Sequence, residues 1–256
     1  MSDRPADPWH ILRRHTAARI ALGRVGDGLP LAHLLDFQMA HARARDSVHM
    51  PLDFAALERE IAQATGLAVR TLRSAAPDRA LYLQRPDLGR QLAEGEAAKL
   101  PPGPYEVVFV IGDGLSSRAV KDHAAATLRA LQVRLAGWHI GPVILARQAR
   151  VALADGIGAA MGAAMTVMLI GERPGLSSAD SLGAYLTWGP RPGLQNSARN
   201  CVSNIRPEGL LPEAAAAKIA WLMNEARRLK LSGVALKDDV PEALPDNPPT
   251  PPPFLP

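Results

Sequence analysis

Tyr105–Ser117 reads YEVVFVIGDGLSS, and some sixty residues later Met165–Ser178 reads MTVMLIGERPGLSS. Each is an apolar run of strand length that breaks into Gly, a carboxylate residue, a further Gly and then serines. Val/Ile runs without alternation fit strands buried on both faces, as in a parallel sheet covered by helices. Two such strands, each ending in a Gly-bearing acidic loop, predict equivalent βα turns around a ligand crevice at the carboxyl edge of the sheet. Neither loop is G-x-G-x-x-G or G-x-x-x-x-G-K-[ST], so the usual nucleotide fingerprints are absent.

Working outward, the pattern from Tyr105 to about Ala235 alternates strand and helix. VVFVI precedes a helix from about Ser116 to Leu135, and VILAR precedes an Ala/Gly-rich helix near Leu153–Gly162. The last helix, PEAAAAKIAWLMNEARRL, has Pro212 and Glu213 at its start and Arg227, Arg228 and Lys230 at its end, as the helix dipole prefers. Such alternation predicts an α/β fold, a mostly parallel sheet with flanking helices, preceded by a helical N-terminal segment. Four parts follow: a helical segment over 1–60, a connecting segment over 61–104, the sheet domain over 105–239 and a Pro-rich tail over 240–256, expected to be extended and disordered.

Composition narrows the function classes. Net charge is +4, from 29 Lys+Arg against 25 Asp+Glu, with no dense like-charge run, which argues against a nucleic-acid partner. The single cysteine, Cys201, excludes an intramolecular disulfide framework and fits a reducing cytoplasm. MSDRPADPWH has no signal core, and the most apolar stretch, Ile157–Ile170, is too short and too segmented by glycine to span a bilayer. Five of the seven histidines fall in the first segment, but without the i, i+4 spacing that puts two metal ligands on one helix face.

The chemistry-bearing residues cluster at the two loops. Gly112 and Gly114 let a ligand approach the backbone closely, and Asp113 between them is placed to accept hydrogen bonds. Ser116 either caps the next helix or turns its hydroxyl to the crevice. Glu172 stands at the end of the second strand, on the same edge as Asp113. Cys201 lies in ARNCVSNIRPEG, read as a polar loop, with no histidine nearby to make a nucleophile–base pair. A crevice without a catalytic set describes a binding subunit, or half of an enzyme. A stand-alone regulatory binding module is the competing reading; a nicotinamide oxidoreductase is disfavoured by the missing glycine fingerprint.

The ordered series TAARIALGRVGDGLP, HARARDSV, VRTLRSAAPDRALYLQRPDLGRQL, VVFVIGDGLSS, GERPGLSSADSLGAYLTWGPRP and CVSNIRPEG resembles the small (light) subunit of ethanolamine ammonia-lyase. The likeness runs from about Thr16 to about Asp239. It implies an adenosylcobalamin-dependent lyase converting ethanolamine to acetaldehyde and ammonia by radical rearrangement and elimination. It also implies a division of labour: a large-subunit barrel holds the substrate, and a Rossmann-like surface of this chain closes over the corrinoid. The cofactor then supplies the radical and the protein supplies binding and orientation. The family's corrinoid contacts fall on Val151, Glu172 and Cys201, with no catalytic residue of this chain's own; Gly112, Asp113, Gly114 and Ser116 are added from the loop argument. The resemblance further implies a large-subunit partner contacted by the 1–60 segment and a cytoplasmic enzyme. Many relatives carry a longer N-terminal extension associated with packaging in a bacterial microcompartment, and the short stretch before Trp9 sets this chain apart from them. The chain lacks D-x-H-x-x-G, so binding with the benzimidazole base still on cobalt is expected.

Overall fold

Apolar runs flanked by helices become the inner strands of the sheet: β2 (Tyr105–Gly112), β3 (Val143–Arg147) and β4 (Ala163–Gly171). Their side chains are buried on both faces, which is why the sequence shows no alternation there. In this computed structural model, which describes residues 8–16 and 18–237, three further strands complete the sheet: β1 (Val69–Arg73), β5 (Leu182–Trp188) and β6 (Arg199–Ile205). The strand order is β1-β3-β2-β4-β5-β6. The first four strands in that order run parallel, whereas β4, β5 and β6 pair antiparallel.

The sheet is therefore mixed, which corrects the mostly parallel sheet expected from the sequence. The reason is chain length. Only residues 172–181 separate β4 from β5, and a parallel crossover needs a dozen or more residues, usually with a helix. The GERPG segment is accordingly a ββ connection, not a second βα turn. A strand was also hidden in the connecting segment: β1 joins the sheet by parallel pairing with β3.

The two faces of the sheet are covered unequally. On one face lie α2 (Phe54–Thr65), α4 (Ser117–Gln132) and α6 (Pro212–Leu229). Their apolar stripes bury Phe109, Ile111, Leu145, Leu169, Leu186 and Ile205, drawn from five of the strands. Each fully buried side chain of this size contributes about 1.5–3 kcal/mol relative to exposure, so this layer dominates the stability. Local signals set its helix ends: the Asp53 carboxylate accepts from Ala56 N at 3.0 Å, Gly66 closes α2 at φ +70°, and Pro212 opens α6.

The opposite face is covered by α5 (Leu153–Met161) together with Leu92 and Leu100 of the segment before β2, packed over Val108, Val110, Ile144, Ala146 and Met168. This cover stops short of the antiparallel edge. Arg199, Cys201 and Ser203 alternate along β6 toward the α5 side. Arg199 is held under the helix by the Asp155 carboxylate, whereas Cys201 and Ser203 remain exposed.

Among the described N-terminal residues, Pro8–Arg14 form a 3-10 helix, and regular helix resumes only with α1 (Leu31–His49). In α1 only Ala40 and Ser47 are buried. Leu31, Leu35 and Met39, on successive turns, are 68%, 54% and 55% exposed. A short α3 (Arg79–Gln84) lies beside the carboxyl edge. The Pro-rich tail expected over 240–256 lies outside the described residues. Among the described residues, no helix is long and apolar enough to cross a membrane.

Candidate functional site

At the carboxyl end of β2 the IGDGLSS loop turns inward. Asp113 is 4% exposed, and its two oxygens accept from Gln148 N and Ala149 N, each at 2.9 Å. Arg79 stands 3.9 Å away and donates to the carbonyls of Val48 and Gly114, both at 2.7 Å. Burial pushes the Asp113 carboxyl above its ordinary value, opposed by those two amides and by the Arg79 guanidinium. Asp113 thus ties the end of β2 to the loop after β3.

Its neighbours join the same scaffold. A Cβ on Gly112 would meet Met168 Cε at 2.7 Å and Ala149 Cβ at 2.8 Å. Gly114, at φ +58°, faces the Gly171 carbonyl so closely that any Cβ would overlap it. Leu115 N donates to that carbonyl at 2.9 Å. Ser116 is fully buried; its Oγ caps α4 by accepting from Ala119 N and donates to the Ala179 carbonyl at 2.8 Å. The two Gly-acid loops are therefore packed against each other, and the glycines serve that contact.

The words LYLQRPDLGR explain the other side of this edge. Tyr82 is fully buried, donates to the Ala149 carbonyl at 2.8 Å, and lies between the guanidiniums of Arg79 and Arg150, 4.8 and 4.5 Å from its ring centre. Gly89 lets Arg150 N reach its carbonyl at 2.7 Å. This clamp fixes the loop that carries Val151, which is half-buried against the α5 cluster.

Glu172 behaves differently from Asp113. It is half-buried at the rim of the uncovered sheet face, where its Oε1 accepts from Ser203 Oγ at 2.7 Å. Its Oε2 accepts from Ser181 Oγ at 2.5 Å and from Asn204 N at 3.2 Å. Among the described residues no cation lies within ion-pairing distance of it; the adjacent Arg173 is exposed. Gly183 lies beneath the carboxylate: a Cβ there would meet Glu172 Oε1 at 2.8 Å.

Cys201 belongs to strand β6, which corrects the polar-loop reading. It pairs across the ladder with Tyr185 of β5, itself opposite Met168 of β4, so all three side chains share the α5 side of the sheet. Desolvation raises the Cys201 thiol above its ordinary value; the Tyr185 hydroxyl opposes this and the Glu172 carboxylate adds to it. Burial likewise pushes the Tyr185 hydroxyl up.

The structure thus divides the seven candidates. Gly112, Asp113, Gly114 and Ser116 are built into the edge, while Val151, Glu172 and Cys201 border the sheet face that α5 leaves open. Sequence reasoning missed Gly183, Tyr185, Ser181, Ser203 and Asn204, which share this face or its rim. No clean alternation announced this strand: in NCVSNI the buried Val202 and Ile205 stand three apart, because the register shifts between them.

None of the seven candidates lines either of two sizeable surface cavities. One, of about 1010 Å³, lies between α1 and the 172–181 connection and reaches Arg118, Asn204 and Arg206; the other, of about 580 Å³, abuts α5 at Ala152 and Gly156. The Glu172–Cys201 region sets the half-buried Glu172 beside exposed Cys201 and Ser203. It offers a ligand a carboxylate, hydroxyls and a thiol. Among the described residues no group of His, Cys, Asp and Glu gathers as a metal site.

Comparison with known proteins adds to this geometry. The family model described as Ethanolamine ammonia-lyase light chain (EutC) matches residues 6–237. An ethanolamine ammonia-lyase small subunit from Azotobacter vinelandii is 54% identical over 250 residues, covering 93% of this chain and 92% of the relative. One from Ralstonia nicotianae is 53% identical over 240 residues, covering 91% and 88%. One from Pseudomonas fluorescens is 50% identical over 250 residues, covering 93% and 91%.

Proposed function

The chain belongs to the ethanolamine ammonia-lyase light-chain family, and from that premise we propose that its uncovered sheet face closes over adenosylcobalamin held against a large-subunit partner. In the assembled enzyme, ethanolamine is converted to acetaldehyde and ammonia. The large subunit holds the substrate, and the parallel strands of this chain act as a Rossmann-like support for the corrinoid. When bound, the cofactor supplies the radical chemistry; this chain's residues bind it, orient it and exclude water.

The observation that carries the reading is the open face beside Glu172. A corrin is a broad, nearly flat ring with carboxamide arms at its rim. Glu172 offers those arms an acceptor, Val151 offers apolar packing, and Cys201, exposed and compact, leaves room for a macrocycle to approach the sheet. The buried residues Gly112, Asp113, Gly114 and Ser116 hold the edge from which Glu172 projects.

The exposed Leu31, Leu35 and Met39 stripe supplies the second half of the reading. An apolar helix face of this kind suits protein docking, which supports α1 as the segment that meets the large subunit.

The test is acetaldehyde release from ethanolamine with adenosylcobalamin, using this chain with and without its large subunit, alongside cobalamin retention by the complex. Activity and retention that need both proteins support the proposal. A folded complex that leaves cobalamin unbound overturns it. Within an active complex, Glu172→Ala is expected to weaken cobalamin binding, and an unchanged affinity would remove Glu172 from the site.

A further inference from the structure

Four independent features of the antiparallel edge converge on one carboxylate. Ser181, just before β5, donates its hydroxyl to Glu172 Oε2 at 2.5 Å. Ser203 of β6 donates to Oε1 at 2.7 Å, and Asn204 N donates to Oε2 at 3.2 Å. Gly183 leaves the space in which the carboxylate lies.

The Asn204 contact depends on a break in the ladder. The β5–β6 register shifts between Leu182 and Ala184, and Asn204 there has φ +60°. A bulge of this kind re-aims one or two groups at the cost of regular pairing. Here it points the Asn204 amide at Glu172 while Ser203 keeps its side chain on the same face.

A carboxylate offers about four acceptor positions, two on each oxygen. Oε2 receives two donors and Oε1 one, so a single position remains, on Oε1 at the open face.

We propose that Ser181, Ser203 and the Asn204 bulge form a seat that fixes the Glu172 carboxylate, and that the Oε1 position to which no described residue donates takes one carboxamide N–H at the rim of the corrinoid. This rests on the cobalamin reading above and adds its geometry: Ser203 and Ser181 are positioning residues. Preorganisation of this kind lowers the ordering cost of binding. It also sets selectivity, because a carboxylate arm in place of the amide brings a like charge to Glu172 and leaves its free acceptor without a donor.

The experiment measures cyanocobalamin affinity of the assembled two-subunit enzyme by absorbance titration. Ser203 is exposed, so Ser203→Ala leaves the fold intact. It is expected to weaken binding about 5- to 10-fold, less than the full worth of a hydrogen bond to a charged group because Ser181 and Asn204 still hold the carboxylate. Ser203→Thr, which keeps the hydroxyl, is expected to recover most of that affinity. In a Glu172→Ala background, Ser203→Ala is expected to add less than about twofold, because a residue acting through Glu172 has nothing left to position. Of cyanocobalamin derivatives with one rim amide hydrolysed to a carboxylate, one isomer is expected to bind more than about tenfold worse than the parent. Glu172→Gln is expected to relieve most of that penalty.

If Glu172→Ala weakens binding but Ser203→Ala does not, the seat is overturned and the cobalamin reading stands. If Glu172→Ala itself has no effect, the cobalamin reading of this residue falls first. Equal effects of Ser203→Ala with and without Glu172 would make Ser203 an independent contact and overturn its positioning role. Equal binding of every carboxylate isomer would overturn the single-amide assignment.

Discussion

Replacing Asp113 with Ala separates a scaffold residue from a ligand contact. In the native chain its carboxylate is the acceptor for Gln148 N and Ala149 N, each at 2.9 Å, and stands 3.9 Å from Arg79. Truncation leaves both amides without a partner in a buried site, and an orphaned buried donor costs about 1–3 kcal/mol. Arg79 keeps its bonds to the Val48 and Gly114 carbonyls, so its loss is smaller, on the order of 1 kcal/mol. The expected destabilisation is about 3–5 kcal/mol, a large share of the roughly 5–15 kcal/mol typical of a domain. For a chain of this size that lowers Tm by about 6–20 °C.

Asp113→Asn is the informative companion. It preserves shape and one oxygen but turns an N–H₂ toward one of the two backbone N–H groups. Its expected cost is about 2–3 kcal/mol, less than that of Ala. Urea and thermal unfolding followed by circular dichroism measure both variants, and cobalamin titration of the assembled enzyme supplies the second readout. A D113A chain that unfolds within about 1 kcal/mol of the parent, yet binds cobalamin about tenfold more weakly, would make Asp113 a ligand contact instead of a scaffold residue.

Three further outcomes are expected. Asp155→Ala leaves the buried Arg199 guanidinium without its carboxylate and should cost about 3–5 kcal/mol in urea unfolding, with Asp155→Ala/Arg199→Met recovering part of it; a loss under 1 kcal/mol would show the pair to be solvated. Because the Cys201 thiol is raised, its thiolate fraction at neutral pH lies below that of an unperturbed thiol. Its alkylation by iodoacetamide should therefore run slower than that of a free thiol and climb at higher pH; a faster rate at pH 7 would reverse the sign of the shift. Replacing Leu31, Leu35 and Met39 together with Ser should leave unfolding within about 1 kcal/mol, since these side chains are exposed, but should abolish co-purification with the large subunit; undiminished co-purification would place the docking surface elsewhere.

The inner strands were legible because burial on both faces leaves an unbroken apolar run, as in VVFVI and TVMLI. Helix α6 was legible from Pro212, Glu213 and its terminal arginines. The edge strands were not. In β6 the α5 side is covered only at Arg199, and the register shift sets the buried Val202 and Ile205 three apart around exposed Ser203 and Asn204, so the strand reads as a polar loop. The antiparallel turn had a signal in the spacing, since residues 172–181 leave no room for a crossover helix. Its strength was masked by the likeness of the two Gly-acid loops. Their similar spelling serves mutual packing at Gly114 and Gly171, not repetition of one turn. Asp113 and Glu172 likewise look equivalent in sequence. Only tertiary contacts separate them: one carboxylate receives buried backbone amides, the other mainly serine hydroxyls at an open rim.

Among the described residues, the α1 stripe and the sheet face beside α5 both stand exposed, and their chemistry differs in what each can receive. The α1 stripe is aliphatic, with Leu31, Leu35 and Met39 on successive turns, and water contact there is unfavourable over the whole patch. Only another apolar surface relieves it, which means a protein. The sheet face beside α5 is small and polar: Gly183 lacks a side chain, Cys201 is compact, and Ser203, Tyr185 and Glu172 keep hydrogen-bonding capacity. Such a face gains little from burying area and much from a ligand whose rim donates to the carboxylate while its plane lies over the strands. On the proposed function, an enzyme that closes on a cofactor and opens to exchange it needs that separation. An area-driven contact at α1 would hold the subunits together, and the proposed cofactor face, depending on a few oriented hydrogen bonds, would form and release without dismantling the assembly.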